Sequence, residues 1–340
     1  MEGLISLFDT LPNPLKNSDR IAVFSGIRVP NTSSWHLCKD SKGYPLLLIS
    51  IANSPSERIP ADLVLENLRV EHNIECQISS RDGSRIGGRF SIIRCLSNER
   101  ALHEYFLLTM NAIISSLPTK PDISSLSKAV ENLTELFHLL LKAPTRPLQG
   151  LWAELFLIIQ SANPTFMIKA WHIDADERFD FSFGDQRIEV KSSSNRNRQH
   201  HFSFEQAYPP EGTKVLIVSI FLERSTNGLA LGELWDKARD IAVQDPESLI
   251  KIEKICLEAL GNTWLSARAK CFDQFLATHS LKFYFTDDIP RISPELPEGV
   301  SEIRFRSNLD LAPQADIHLS NSDVLFDILL GIKAKRIGDK

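Results

Sequence analysis

Asp180, Glu189 and Lys191 lie within Phe179-Asp180-Phe181-Ser182-Phe183-Gly184-Asp185-Gln186-Arg187-Ile188-Glu189-Val190-Lys191. Their spacing could bring two carboxylates and an ammonium together. Phe179, Phe181 and Phe183 alternate with Asp180 and Ser182, the period-2 pattern of a half-buried strand. Beyond a Gly184-Asp185 turn signal, Ile188 and Val190 alternate with Glu189 and Lys191 in the same way. A two-residue turn there pairs Phe183 with Gln186, Phe181 with Ile188 and Asp180 with Glu189. Side chains directly opposed across a hairpin stand roughly 4.5–5.5 Å apart, and like charges placed so repel. A cation between the carboxylates removes that conflict, and Lys191, two residues past Glu189, points to the same face. The hairpin therefore predicts a metal-binding catalytic site. The competing reading is a solvated strand face, because a D…ExK pattern also arises by chance.

The elements around the hairpin must position these groups. Pro147 suits the first turn of a helix running through Leu148-Gln149-Gly150-Leu151-Trp152-Ala153-Glu154-Leu155-Phe156-Leu157-Ile158-Ile159. That helix is apolar almost all round, which predicts burial. Glu154 is its exception, and its neighbours at three and four residues, Gly150, Leu151, Leu157 and Ile158, cannot neutralise it. Either Glu154 reaches solvent at a helix edge, or it turns against the cation or lysine of the hairpin. Ser203-Phe204-Glu205-Gln206 has the form of a capping box opening a short helix. Val215–Leu222 is a continuous apolar run, as in a central strand buried on both faces. The order helix, strand, strand, short helix, strand describes an α/β layer. Lys191, Arg196 and Arg198, followed by His200 and His201, form a local basic patch suited to phosphate.

Further out, residues 1–97 read as a β-rich domain. Arg20–Ile27, Trp35–Cys38, Pro45–Ile51, Asn73–Ile78 and Arg89–Leu96 are β-prone runs separated by turn signals such as Asp82-Gly83. Residues 98–146 read as a helical connector, with Leu102, Tyr105, Phe106 and Met110 on one helix and Leu126, Val130, Leu133, Phe137 and Leu140 on a second from Ile123 to Leu141. A core of residues 147–230 follows, then a mainly helical region 231–340. Within it Leu231–Gln244 and Glu247–Thr278 are helical, with a break near Gly261-Asn262, and Leu281–Thr286 and Glu302–Arg306 are late strands. The fold class is α+β or α/β.

The 340 residues carry a formal net charge of −5, which excludes a generally basic nucleic-acid coat but not a local binding patch. No apolar run is long enough to span a bilayer. The five cysteines, Cys38, Cys76, Cys95, Cys256 and Cys271, contain no CxxC pair and argue against a zinc site or disulfide scaffold. With no signal-peptide pattern in Met1–Asp9, the expected location is the cytoplasm.

Glu154 on the leading helix, Asp180 at a strand and Glu189-Val190-Lys191 on the next resemble the PD-(D/E)XK nuclease superfamily. Gly150-Leu151-Trp152-Ala153-Glu154-Leu155, Glu189-Val190-Lys191-Ser192 and Arg198-Gln199-His200 look more closely like a little-characterised prokaryotic PD-(D/E)XK family of restriction-like defence loci. The specific motifs lie between about 150 and 208, and Phe179 stands where the superfamily's pattern has proline. The resemblance implies a restriction-endonuclease-like core with a mixed sheet and Mg²⁺-dependent hydrolysis of DNA phosphodiester bonds, with Mn²⁺ as substitute. It implies Asp180, Glu189 and the Val190 carbonyl as ligands of a hard, oxygen-preferring ion, and Lys191 orienting water or neutralising developing charge. Glu154 would hold a second ion, an outer-sphere water or Lys191. Arg196, Arg198 and His200 would contact flanking phosphates. A homodimer and other defence proteins are the implied partners. The competing readings are a nuclease fold that binds nucleic acid or partner subunits without catalysis, and a helical C-terminal assembly scaffold.

Overall fold

Turn signals and alternating apolar residues wind the N-terminal part of the chain into a β-barrel. The computed structural model describes residues 3–14, 21–50, 60–119, 121–172, 178–295, 297–315 and 324–329. The chain divides into two units, Met1–Leu141 and Lys142–Lys340.

In the first unit, a short helix α1 (Leu4–Asp9) precedes β1 (Ala22–Arg28), β2 (Trp35–Lys39), β3 (Pro45–Ile49), β4 (Leu63–Val64), β5 (Leu68–Ser79) and β6 (Arg85–Cys95). The strands lie in the order β1-β2-β3-β6-β5-β4, and a parallel pairing of β1 with β5 closes the sheet on itself. Closure removes most of the exposed sheet edge. Phe24, Cys38, Leu46, Leu48, Cys76, Ile78, Phe90 and Ile92 fill one buried cluster. Gly26 allows β1 to approach its neighbours, because a Cβ there would collide with Cys38 Sγ and the Ile78 side chain. Helices α2 (Arg100–Ser116) and α3 (Ile123–Leu139) pack on β6 and β5 respectively. The Asp122 side chain caps α3 by accepting from the Ser125 amide at 2.8 Å.

The five predicted β-prone runs correspond to β1, β2, β3, β5 and β6; Arg20 and Ile51, at the edges of two of them, lie outside the described residues. Strand β6 begins four residues earlier than its predicted run. Gly87 and Gly88, which have little intrinsic strand preference, hide that extension, although they pair with Gln77 and Cys76.

The second unit contains α4 (Leu148–Gln160), α5 (Pro164–Ala170), β7 (Phe181–Phe183), β8 (Gln186–Ser193), β9 (Gln199–Ser203), α6 (Phe204–Ala207) and β10 (Lys214–Phe221). There follow β11 (Arg224–Ala230), α7 (Leu231–Ala242), α8 (Pro246–Leu260), α9 (Trp264–Arg268), β12 (Cys271–Phe272), α10 (Gln274–Ser280), β13 (Lys282–Phe285) and β14 (Arg304–Asn308). The central sheet has the order β13-β10-β8-β7, with β8 and β10 parallel and the outer pairs antiparallel. Parallel neighbours need a crossover, here supplied by β9 and α6. Leu216 and Val218 of β10 are fully buried, as expected of a strand covered on both faces.

Helix α4 packs on β8 and against α7, with Leu151 through Ile158 all buried. Pro147 occupies its N-cap rather than its first turn. The helix predicted from Glu247 to Thr278 is interrupted: α8 ends at Leu260, α9 follows, and β12 intervenes before α10. Strands β11 and β12 escaped the sequence because Arg224–Ala230 shows no alternation and Cys271–Phe272 is only two residues long. The protein is thus a mixed α+β structure. Among the described residues no helix is long and apolar enough to cross a membrane.

Candidate active site

The β7–β8 hairpin has the predicted register, with Phe181 opposite Ile188 and Phe183 opposite Gln186. Gly184 supplies the positive φ of +56° that the turn requires. The ladder stops at Phe181, so Asp180 is not a ladder partner of Glu189. Its carbonyl instead accepts from the His172 amide at 3.0 Å, and its Oδ2 accepts from the Val190 amide at 2.7 Å. Val190 sits between Glu189 and Lys191, so the hydrogen bond still ties Asp180 to the segment carrying the other two charges. On β8, Lys191 Nζ lies 2.6 Å from Glu189 Oε1, the same-face arrangement that the spacing predicts.

Glu154 does not reach solvent at a helix edge; it is only 5 % exposed. Trp171 Nε1 donates to its Oε2 at 2.7 Å, and Arg146 Nη1 stands 3.4 Å from its Oε1. Both partners escape a search at helical spacing. Arg146 precedes the helix, and Trp171 lies seventeen residues downstream, placed by α5 and by an antiparallel bridge to Phe181.

The three carboxylates feel one another. Burial, reinforced by the charge of Asp180, pushes Glu154 up to about 8, against the opposing pull of Arg146 and Trp171. The same two causes push Glu189 up to about 8, with Lys191 and Gln206 opposing. Asp180 is raised by burial, with the Val190 amide and Lys191 holding it back. Three acidic groups thus face two cations, Lys191 and Arg146, in a medium where charge is poorly screened.

Gln206 is a further member of this group that the sequence marked only as a helix cap. Its Oε1 accepts from Lys191 Nζ at 3.3 Å and from the Ser203 amide at 3.2 Å, while its Nε2 donates to the Arg178 carbonyl at 2.9 Å. The capping box of α6 therefore also steers the lysine. Phe202 lies beneath Lys191, with Nζ 5.0 Å from the ring centroid.

The basic patch separates into inward and outward groups. Arg198 is 2 % exposed and donates to the Ser219 carbonyl and hydroxyl and to the Ser280 carbonyl. His200 is buried, with Nε2 2.8 Å from Ser219 Oγ. Burial, helped by Lys191 and Arg198, pushes the imidazole down to about 4. The expectation that Arg198 and His200 contact phosphate is therefore corrected. The alternation of β9 turns His200 into the fold, and the guanidinium of Arg198 is consumed by carbonyls and a hydroxyl. Arg196 is exposed and makes a two-pronged ion pair with Glu223.

Divalent metal fits the donor set. Glu154, Asp180 and Glu189 offer hard carboxylate oxygens, and their mutual repulsion is what an added cation relieves. Among the described residues no three His, Cys, Asp or Glu side chains converge as a ready-made cage. Mg²⁺ is typically held by one or two carboxylates, with waters and substrate phosphate completing its shell.

An α+β fold carrying carboxylates on a helix, at a hairpin strand and at an ExK strand defines a nuclease-like class. Residues 4–310 match the model of the family described as "Putative PD-(D/E)XK family member, (DUF4420)". The chain belongs to that family. Comparison with curated proteins and with solved structures finds no match.

Proposed function

We propose that this protein is a Mg²⁺-dependent endonuclease that hydrolyses DNA phosphodiester bonds, working as the nuclease component of a prokaryotic restriction-like defence system. The observation that carries the reading is the linkage of Glu189, Val190 and Lys191 on β8 to Asp180 through one amide hydrogen bond, with Glu154 close enough to share their field. The order α4, β7, β8, α6, β10 supports a restriction-endonuclease-like core.

Asp180, Glu189 and the Val190 carbonyl would hold the metal, with Glu154 available to a second ion or an ordered water. When bound, Mg²⁺ acidifies water and neutralises charge on the phosphate. Lys191, aimed by Glu189 and Gln206, orients the attacking water and offsets negative charge as the phosphate is attacked. Trp171 and Arg146 fix the Glu154 carboxylate from behind. The indole stacks near Phe181, with ring centroids 6.5 Å apart, which ties α4 to the hairpin. A homodimer acting in the cytoplasm belongs to the same reading.

The test is a cleavage assay on methylated and unmethylated duplex DNA and on single strands, with Mg²⁺ or Mn²⁺. Metal-dependent strand scission that disappears in Lys191→Ala is expected. Normal DNA binding without scission, and without Mn²⁺ uptake, would make the chain a non-catalytic nuclease-fold module.

A further inference from the structure

β9 and β14 form a two-stranded antiparallel ribbon in which Ser203 faces Arg304, His201 faces Arg306 and Gln199 faces Asn308. The strand period sorts its residues. His200 and Phe202 of β9 and Ser307 of β14 are buried, whereas Gln199, His201, Arg304 and Arg306 are exposed. The inner face is anchored: Phe202 packs with Ile217, Tyr284, Ile289 and Leu309, and Phe305 rests against that cluster. Main-chain bonds from Leu309 to Arg198 and from Phe204 to Ile303 pin both ends. The outer face therefore presents its side chains on a rigid support, and Lys191 lies against the inner face through Phe202.

The outer face is unbalanced in charge. Arg304 and Arg306 stand two residues apart on the same side, and His201 is directly opposite Arg306. Among the described residues, none of the three makes an ion pair. Cation-forming groups opposed across a strand pair are unfavourable, unless an anion lies over both. Successive same-face residues are separated by about 7 Å, close to two nucleotide rises along one strand of a duplex.

We propose that this ribbon is the surface that grips the nucleic-acid backbone, with Arg304 and Arg306 each contacting a phosphate and His201 and Gln199 flanking them. The assignment rests on the nuclease reading for its ligand class, but it places phosphate binding on the strand face opposite Arg198 and His200. Such contacts position substrate without reading sequence. Because Phe202 spans from the ribbon to Lys191, the gripped strand is held in fixed relation to the ExK lysine.

The experiment measures binding of the full-length protein to a short fluorescein-labelled DNA duplex by anisotropy, in Ca²⁺ buffer across a salt series. Arg304→Gln/Arg306→Gln is expected to weaken binding about tenfold or more, uniformly across unrelated sequences. It should reduce the slope of log affinity against log salt by about 2, roughly 1 per lost contact. Arg304→Lys/Arg306→Lys retains the charge and should retain the slope, and Lys237→Ala, an exposed lysine on α7, should change neither quantity. Wild-type affinity and slope in the double glutamine variant, with its melting temperature unchanged, would overturn the proposal, as would no DNA binding by the wild type. Ribbon-dependent binding by a wild type that never cleaves would leave this inference standing and remove the nuclease reading. Cleavage with ribbon-independent binding would do the reverse.

Discussion

The Val190 amide donates to Asp180 Oδ2 across 2.7 Å, anchoring one carboxylate to the backbone between the two charged residues of the ExK segment. That bond separates two effects of Asp180. Asp180→Asn keeps an acceptor for the amide and removes a charge that raises Glu154 and Glu189. The metal-free variant should be at least as stable as wild type at neutral pH, whereas Asp180→Ala orphans the amide and should cost about 1–3 kcal/mol. Both should lose Mn²⁺ binding by calorimetry. Wild-type Mn²⁺ affinity in Asp180→Asn would remove this residue from the metal site.

Gln206 links the cap of α6 to Lys191, so Gln206→Ala should act on turnover more than on affinity. A misaimed lysine predicts kcat lower by about 10–100-fold, with KM within a few-fold of wild type. Unchanged kcat in a folded variant would reduce Gln206 to a helix cap.

Trp171 holds the buried carboxylate of Glu154. Trp171→Phe keeps the ring bulk and removes the donor, and hydrogen bonds to charged groups are worth about 1.5–3 kcal/mol. Urea denaturation should show a loss of that size. Glu154→Gln in the same chain should recover part of it, because a neutral amide is less costly to leave unbonded. Strict additivity of the two substitutions would contradict the coupling.

His200 makes stability pH-dependent. Its folded pKa is lowered to about 4, mainly by burial, while an unfolded histidine titrates near 6.5. The unfolded chain therefore binds the extra proton first, and stability present above about 6.5 declines as pH falls towards 4, by up to about 3 kcal/mol. His200→Gln, which preserves a partner for Ser219, should flatten that part of a denaturation-against-pH curve. An equally steep decline in the variant would assign the acid sensitivity elsewhere.

Much of the site was legible because local periodicity determines it. Phe179 to Lys191 alternates strongly enough to fix strand, turn and register, and the apolar surroundings of Glu154 announced its burial. What periodicity does not carry is long-range pairing. Arg146 and Trp171 reach Glu154 through a helix N-terminus and an isolated bridge. The basic loop was legible as charge but not as geometry. Only the pairing of β9 with β14, about a hundred residues apart in sequence, shows that His200 turns in while His201 joins Arg306 outside. Strand β11 was hidden for the opposite reason, its residues being too polar and irregular to alternate.

The central claim is that Lys191, 2.6 Å from Glu189, serves metal-dependent phosphodiester hydrolysis. The direct measurement is the rate of duplex DNA cleavage with Mg²⁺ for wild type and Lys191→Ala, alongside the melting temperatures of both. The account predicts scission by wild type, its abolition by EDTA, and a rate at least about 100-fold lower in a fully folded Lys191→Ala. Equal cleavage by the two proteins would contradict it.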